Sequence, residues 1–124
     1  MNDPEAISNH FLKAPEESWA DTFKTNTTSI YYMSMTFLPL LAKGRDVTPG
    51  YTSSVVNVTS ISGVMKGSSS GQFAYASSKA AAIHLTRMLA TTFAQTKVRV
   101  NSIAPGVFPS EVSASHNACC LYVC

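Results

Sequence analysis

Apolar residues between Trp19 and about Lys43 fall at helical spacing: Trp19, Phe23, Ile30, Met33, Phe37, Leu40 and Leu41. Spacings of three, four and seven put such residues on one face of a helix, so this stretch is expected to be a long helix. Ser18 is its expected N-cap, with Asp21 three residues on, and Gly44 its expected C-cap. Thr25, Thr27 and Thr28 are weak helix formers in the middle of that run. Residues 1–17 are polar, hold Pro4 and Pro15, and read as loop with a short helix at most.

The pattern then changes. Ser54-Val55-Val56-Asn57-Val58-Thr59 is short, β-branched and preceded by the turn pair Pro49-Gly50, which predicts a strand near residues 53–59. It is apolar on both faces, as a strand covered on both sides would be. Gly63 to Gly71, with Ser68, Ser69 and Ser70, reads as a flexible loop. Residues 73–96 are rich in Ala, Leu and Met, and their apolar positions wrap most of a helix circumference, which predicts burial on two sides. Val98-Arg99-Val100-Asn101-Ser102-Ile103-Ala104 predicts a second strand, ended by Pro105-Gly106. Two strands joined by a long crossover helix imply a parallel pair in a right-handed βαβ unit. The expected fold class is α/β, with parallel strands and crossover helices.

Composition narrows the function. The chain has 124 residues, 45% of them hydrophobic and 13% charged. That balance is unlike a disordered chain. Nine basic and seven acidic residues leave a net charge of +2. The basic ones are scattered, so there is no nucleic-acid footprint. No apolar run is long enough to span a bilayer: Ser34, Thr36 and Pro39 interrupt the best candidate. The polar N-terminus is no signal peptide, which makes the cytoplasm the expected location and leaves the sequons at Asn26 and Asn57 without glycosylation. Cys119, Cys120 and Cys124 crowd the last six residues without zinc spacing, and Leu121 stands where a prenylated Cys would be needed. No metal site is expected.

Tyr75 and Lys79 are four apart on the second long helix and share a face. A phenol keeps its proton up to about pH 10 unless a neighbouring cation stabilises the phenolate, and an adjacent ammonium makes such a Tyr a usable general acid or base. Ser60 lies just past the first strand, and Pro105-Gly106 just past the second. Ligands of open α/β sheets bind at that carboxyl edge, where a hydroxyl can meet a carbonyl oxygen and a glycine admits close approach. Taken without this context, the same residues are a turn serine, a surface helix pair and an ordinary strand-ending turn.

The segments Val55-Val56-Asn57-Val58-Thr59-Ser60-Ile61-Ser62-Gly63, Tyr75-Ala76-Ser77-Ser78-Lys79-Ala80-Ala81 and Val98-Arg99-Val100-Asn101-Ser102-Ile103-Ala104-Pro105-Gly106, with Trp19 seven residues before Asn26, resemble the short-chain dehydrogenase/reductase family. The resemblance covers residues 18–111, its C-terminal half, and implies a partial Rossmann-like fold. It implies hydride transfer between NAD or NADP and a carbonyl/alcohol substrate in a homo-oligomeric enzyme. By resemblance Tyr75 is the catalytic acid/base, Lys79 favours its phenolate and holds the nicotinamide ribose, and Ser60 orients the substrate oxygen. Asn26 would hold a water of a proton relay towards Lys79. Pro105, Gly106 and the backbone at Val107 would bind the nicotinamide carboxamide, with Ser110 standing where the family has Thr. Ser60 is fifteen residues before Tyr75, about two more than the family's spacing, so Ser62 is a second candidate. Val107-Phe108-Pro109-Ser110-Glu111 resembles 3-oxoacyl-carrier-protein reductases.

The family's pyrophosphate-binding Gly-rich turn has no counterpart, since no two of the six glycines have G-x-G spacing. Residues 1–111 are therefore expected to be a partial domain with the active-site half, and residues 112–124 a tail unlike the family. Val112-Ser113 is encodable by a splice-donor sequence, which makes a read-through intron one source of that tail. Two functions follow: an oxidoreductase in truncated form, or a non-catalytic fragment or dimerisation decoy without a cofactor site. A binding module unrelated to the family is a distant third reading.

Overall fold

A computed structural model describes residues 3–67 and 69–106. Helix α1 (Pro4–Phe11) opens the chain, begun by proline in its first turn and by the Asp3 carboxylate, which accepts a hydrogen bond from the Glu5 N–H. This is the short helix allowed for in residues 1–17. Helix α2 (Glu16–Phe23) passes through a π-helical turn (Lys24–Thr28) into α3 (Ser29–Val47) without leaving helical backbone. The first strand is β1 (Ser54–Val58); helix α4 (Phe73–Phe93) then crosses to β2 (Arg99–Ile103). The strands pair in parallel, from Ser54 opposite Arg99 to Val58 opposite Ile103, as the long crossover requires.

Both expected caps of the long helix are displaced. Pro15, extended at ψ 145°, precedes the first turn. Glu16 and Glu17 there favour the positive end of the helix, in place of the expected Ser18 cap. Gly44 does not end α3. The helix runs on to Val47, and a Cβ at position 44 would meet the Ser53 hydroxyl, a side-chain end that can turn aside, where α3 passes the entry to β1. The Thr-rich stretch that weakens helix propensity is where the ladder widens into the π turn.

The core lies between one face of the strand pair and the two long helices. Leu89, Phe93, Val98 and Val100 are buried, with Ile30, Leu38, Leu41, Val55 and Leu85 packed against them. Asn57 shares that face, and its carboxamide donates to the buried Thr86 hydroxyl of α4 at 2.9 Å. That bond satisfies both groups. The opposite face carries no element among the described residues. Val56 is 55% exposed, Val58 57% and Ile103 45%. The expectation of cover on both faces fails here because a second layer must come from elements other than these. Helix α4 likewise buries one stripe, Ser78, Ala82, Thr86, Leu89 and Phe93, and not two sides.

Candidate active site

The parallel ladder runs one step past each strand and thereby builds a rim. Thr59 donates to the Ile103 carbonyl through both its N–H and its hydroxyl, each at 2.8 Å, and the Ile61 N–H donates to the Pro105 carbonyl at 3.0 Å. These bonds hold Ser60 and Pro105-Gly106 side by side at the carboxyl ends of β1 and β2, the edge where ligands bind such sheets. Ser60 is buried and extended, and its oxygen accepts from the Ser62 N–H at 3.2 Å, capping a 3₁₀ turn (Ile61–Gly63). A hydroxyl that accepts in this way keeps its own proton for another acceptor.

Helix α4 brings Tyr75 and Lys79 to the same rim. The Lys79 ammonium lies 5.7 Å from the centroid of the Tyr75 ring. That separation is within cation–π range. The ammonium also donates to the Val58 carbonyl at 3.1 Å, across 21 residues of sequence. That bond ties the first turns of α4 to the end of β1 and uses one of three ammonium donors. Gly63 brings the Ser60 turn against α4, since a Cβ there would stand 2.6 Å from the Ala80 nitrogen and 2.7 Å from the Lys79 carbonyl carbon. The loop expected to be flexible from Gly63 onward is therefore packed at its start. A cleft of about 370 Å³ opens beside this contact, between Ser62, Gly63 and Met65 and the α4 residues Phe73, Ala76 and Ala80.

Asn26 reaches the site region by an indirect route. It sits in the π turn, and its Nδ2 donates to the Ser78 hydroxyl at 3.0 Å, one residue before Lys79. Thr27 donates to the Ser78 carbonyl at 3.0 Å. Sequence reasoning assigned no role to Ser78, Thr27 or Gly63. The Thr-rich break in the helix was the available signal for the π turn. Val107 and Ser110 lie outside the described residues.

A dinucleotide at this rim would meet the backbone beside Pro105-Gly106 and the Lys79 ammonium, which the Val58 carbonyl holds at the end of β1. The pyrophosphate part finds no Gly-rich turn in this sequence.

Comparison with known proteins agrees with this geometry. The family model for short chain dehydrogenase matches residues 6–119. Short-chain dehydrogenase/reductase PhomF of Diaporthe leptostromiformis is 38% identical over 96 residues, covering 77% of this chain and 33% of that protein. The 3-oxoacyl-[acyl-carrier-protein] reductase FabG of Chlamydia pneumoniae is 34% identical over 109 residues, covering 88% of this chain and 41% of the reductase. The solved Pseudomonas aeruginosa RhlG/NADP active-site complex superposes with a TM-score of 0.72 at 34% identity, covering 82% of this chain and 39% of that one. The chain thus spans roughly a third to two fifths of the length of these relatives. With the parallel β1–α4–β2 unit in place and the family match running through most of its length, this chain belongs to the short-chain dehydrogenase family, with an α/β, Rossmann-like fold.

Proposed function

We propose that this chain carries the proton-transfer half of an oxidoreductase acting between NAD(P) and a carbonyl/alcohol pair. The observation that carries this reading is the Lys79 ammonium, set against the Tyr75 ring and anchored to the end of β1 beside Ser60. A bound nicotinamide dinucleotide supplies or takes up the hydride. Tyr75 gives its phenolic proton to the substrate oxygen in reduction and recovers it in oxidation. Lys79 sets its ammonium beside the ring that gives up the proton, 5.7 Å from its centroid. The Ser60 hydroxyl, its oxygen already held by Ser62, donates to the same substrate oxygen and orients it. Asn26 holds a water on the Lys79 side, and Pro105, Gly106, Val107 and Ser110 hold the carboxamide end of the cofactor.

Within this class we favour a 3-oxoacyl thioester as substrate, supported by the similarity to the 3-oxoacyl-[acyl-carrier-protein] reductase. The test is a chimera: the Chlamydia pneumoniae reductase with its matching 109-residue segment replaced by this chain. It is expected to consume NADPH or NADH with a 3-oxoacyl thioester. A chimera that folds and binds dinucleotide yet reduces no carbonyl compound would falsify the reading. In the same chimera Gly63→Ala forces the Ser60 turn off α4, because the obstruction is backbone. Displacing a reacting group by about 1 Å costs on the order of 100-fold, so turnover is expected to drop about that far while dinucleotide affinity holds. Unchanged kcat in Gly63→Ala means the close packing of turn and helix is irrelevant to the chemistry.

A further inference from the structure

We propose that Ser78 is a positioning residue of this site: its buried hydroxyl joins the Asn26 carboxamide to the Tyr75 carbonyl and sets which way that carboxamide faces. The inference rests on the roles proposed above for Tyr75, Lys79 and Asn26 and deepens them. Ser78 lies between Tyr75 and Lys79 on α4 and is 0% exposed. Its Oγ is 2.8 Å from the Tyr75 carbonyl oxygen. That oxygen can only accept, so the Ser78 proton is committed there. The Ser78 oxygen is therefore the acceptor towards Asn26, and the carboxamide atom 3.0 Å away is the nitrogen. The chain of bonds has one direction, from Asn26 Nδ2–H to Ser78 Oγ–H to the Tyr75 carbonyl. The Asn26 oxygen is turned away from Ser78 and stands as an acceptor.

The π turn makes this reach possible. It holds an extra residue relative to an α-helical turn, and π-bulges recur at functional sites. Here two successive side chains from it, Asn26 and Thr27, close on one residue of α4, 52 and 51 positions away. Removing the hydroxyl takes from the Asn26 nitrogen its partner on α4, while the Tyr75 carbonyl, inside that helix, keeps its backbone bond. The carboxamide is then free to turn over, which exchanges donor for acceptor where a relay water is to be held. Ser78 touches no substrate, so the effect falls on kcat and not on KM.

Thr27 provides a matched control. It bonds the same residue of the same helix, at its carbonyl and not its hydroxyl, and leaves the Asn26–Ser78–Tyr75 chain intact. In the chimera, Ser78→Ala is expected to lower kcat about tenfold, the effect of a lost buried hydrogen bond, with KM within about twofold. Thr27→Val is expected to lower the thermal midpoint comparably and keep kcat within about twofold of the parent. Equal kcat in Ser78→Ala and Thr27→Val, whether retained or lost, overturns the proposal and leaves Ser78 a packing residue. A second readout is independent of turnover. In nitrogen-15 spectra the Asn26 side-chain protons should be slow to exchange in the parent and in Thr27→Val, and fast in Ser78→Ala. Should the parent chimera reduce nothing, the functional reading falls and this spectrum alone decides Ser78. Asn26 protons unaffected by Ser78→Ala then overturn its role.

Discussion

Expressed as the 124-residue polypeptide with nothing added, the chain should accumulate as aggregate, melt without a cooperative transition and bind neither NADH nor NADPH. The reason begins with β1 and β2. Two strands make a poor sheet, since about three or more with a packed face are needed for independent stability. Here one face is packed by α3 and α4, and the other presents Val56, Val58 and Ile103, each close to half exposed or more. Among the described residues β1 pairs only with β2, so its other edge offers unpaired backbone groups next to those valines. Open edges of that kind pair with other chains. Dinucleotide binding fails separately, because no Gly-rich turn at a helix N-terminus is present to hold the pyrophosphate. Soluble yield, scanning calorimetry and titration calorimetry with both nucleotides measure the three parts. A soluble protein with a cooperative transition and micromolar nucleotide affinity would return the isolated chain to the working enzymes.

The second large effect is expected from Tyr75→Phe in the chimera. The substitution removes one oxygen and leaves the ring beneath the Lys79 ammonium. None of the hydrogen bonds among the described residues uses the Tyr75 hydroxyl; Tyr75 takes part through its carbonyl. The thermal midpoint should therefore stay within about a degree or two of the parent, as for a change worth under ~0.5 kcal/mol. Turnover should nevertheless fall by about 10²- to 10⁴-fold, the usual contribution of a positioned proton donor. Dinucleotide affinity should be little changed, because Lys79 and the Pro105-Gly106 backbone remain. Steady-state kinetics and fluorescence titration separate the two. Retained turnover in Tyr75→Phe assigns the proton to another group, and Ser60 or Ser62 becomes the first to test.

The difference between these two experiments reflects what can be read along the chain. The linear order of Ser60, Tyr75, Lys79 and Pro105-Gly106 is a property of the sequence, and the parallel pairing then brings Ser60 and Pro105-Gly106 to one edge, where the Lys79 ammonium bonds the Val58 carbonyl. Their convergence needed no knowledge of packing, because a strand end and a crossover helix start are neighbours in any βαβ unit. The element types were legible for the same kind of reason: a β-branched run bounded by turn residues, and apolar residues at three- and four-residue spacing, state their periods locally.

Tertiary contacts decided the rest. Gly44 looks like a helix stop, yet α3 runs through it to Val47 and passes Ser53 at the entry to β1. Val56 and Val58 announce a strand covered on both faces, while the cover on one face depends on elements these residues do not include. The sequence offered Asn26 as a candidate, but its partner was not legible, since Ser78 stands 52 residues away and looks like any helix serine. By itself the sequence determined the α/β class, the parallel pair and the residues that could carry a proton, since local period and spacing encode these. Which glycine ends a helix, which strand face is bare and which hydroxyl holds Asn26 were decided only in three dimensions, because each depends on atoms brought close by packing between separate elements.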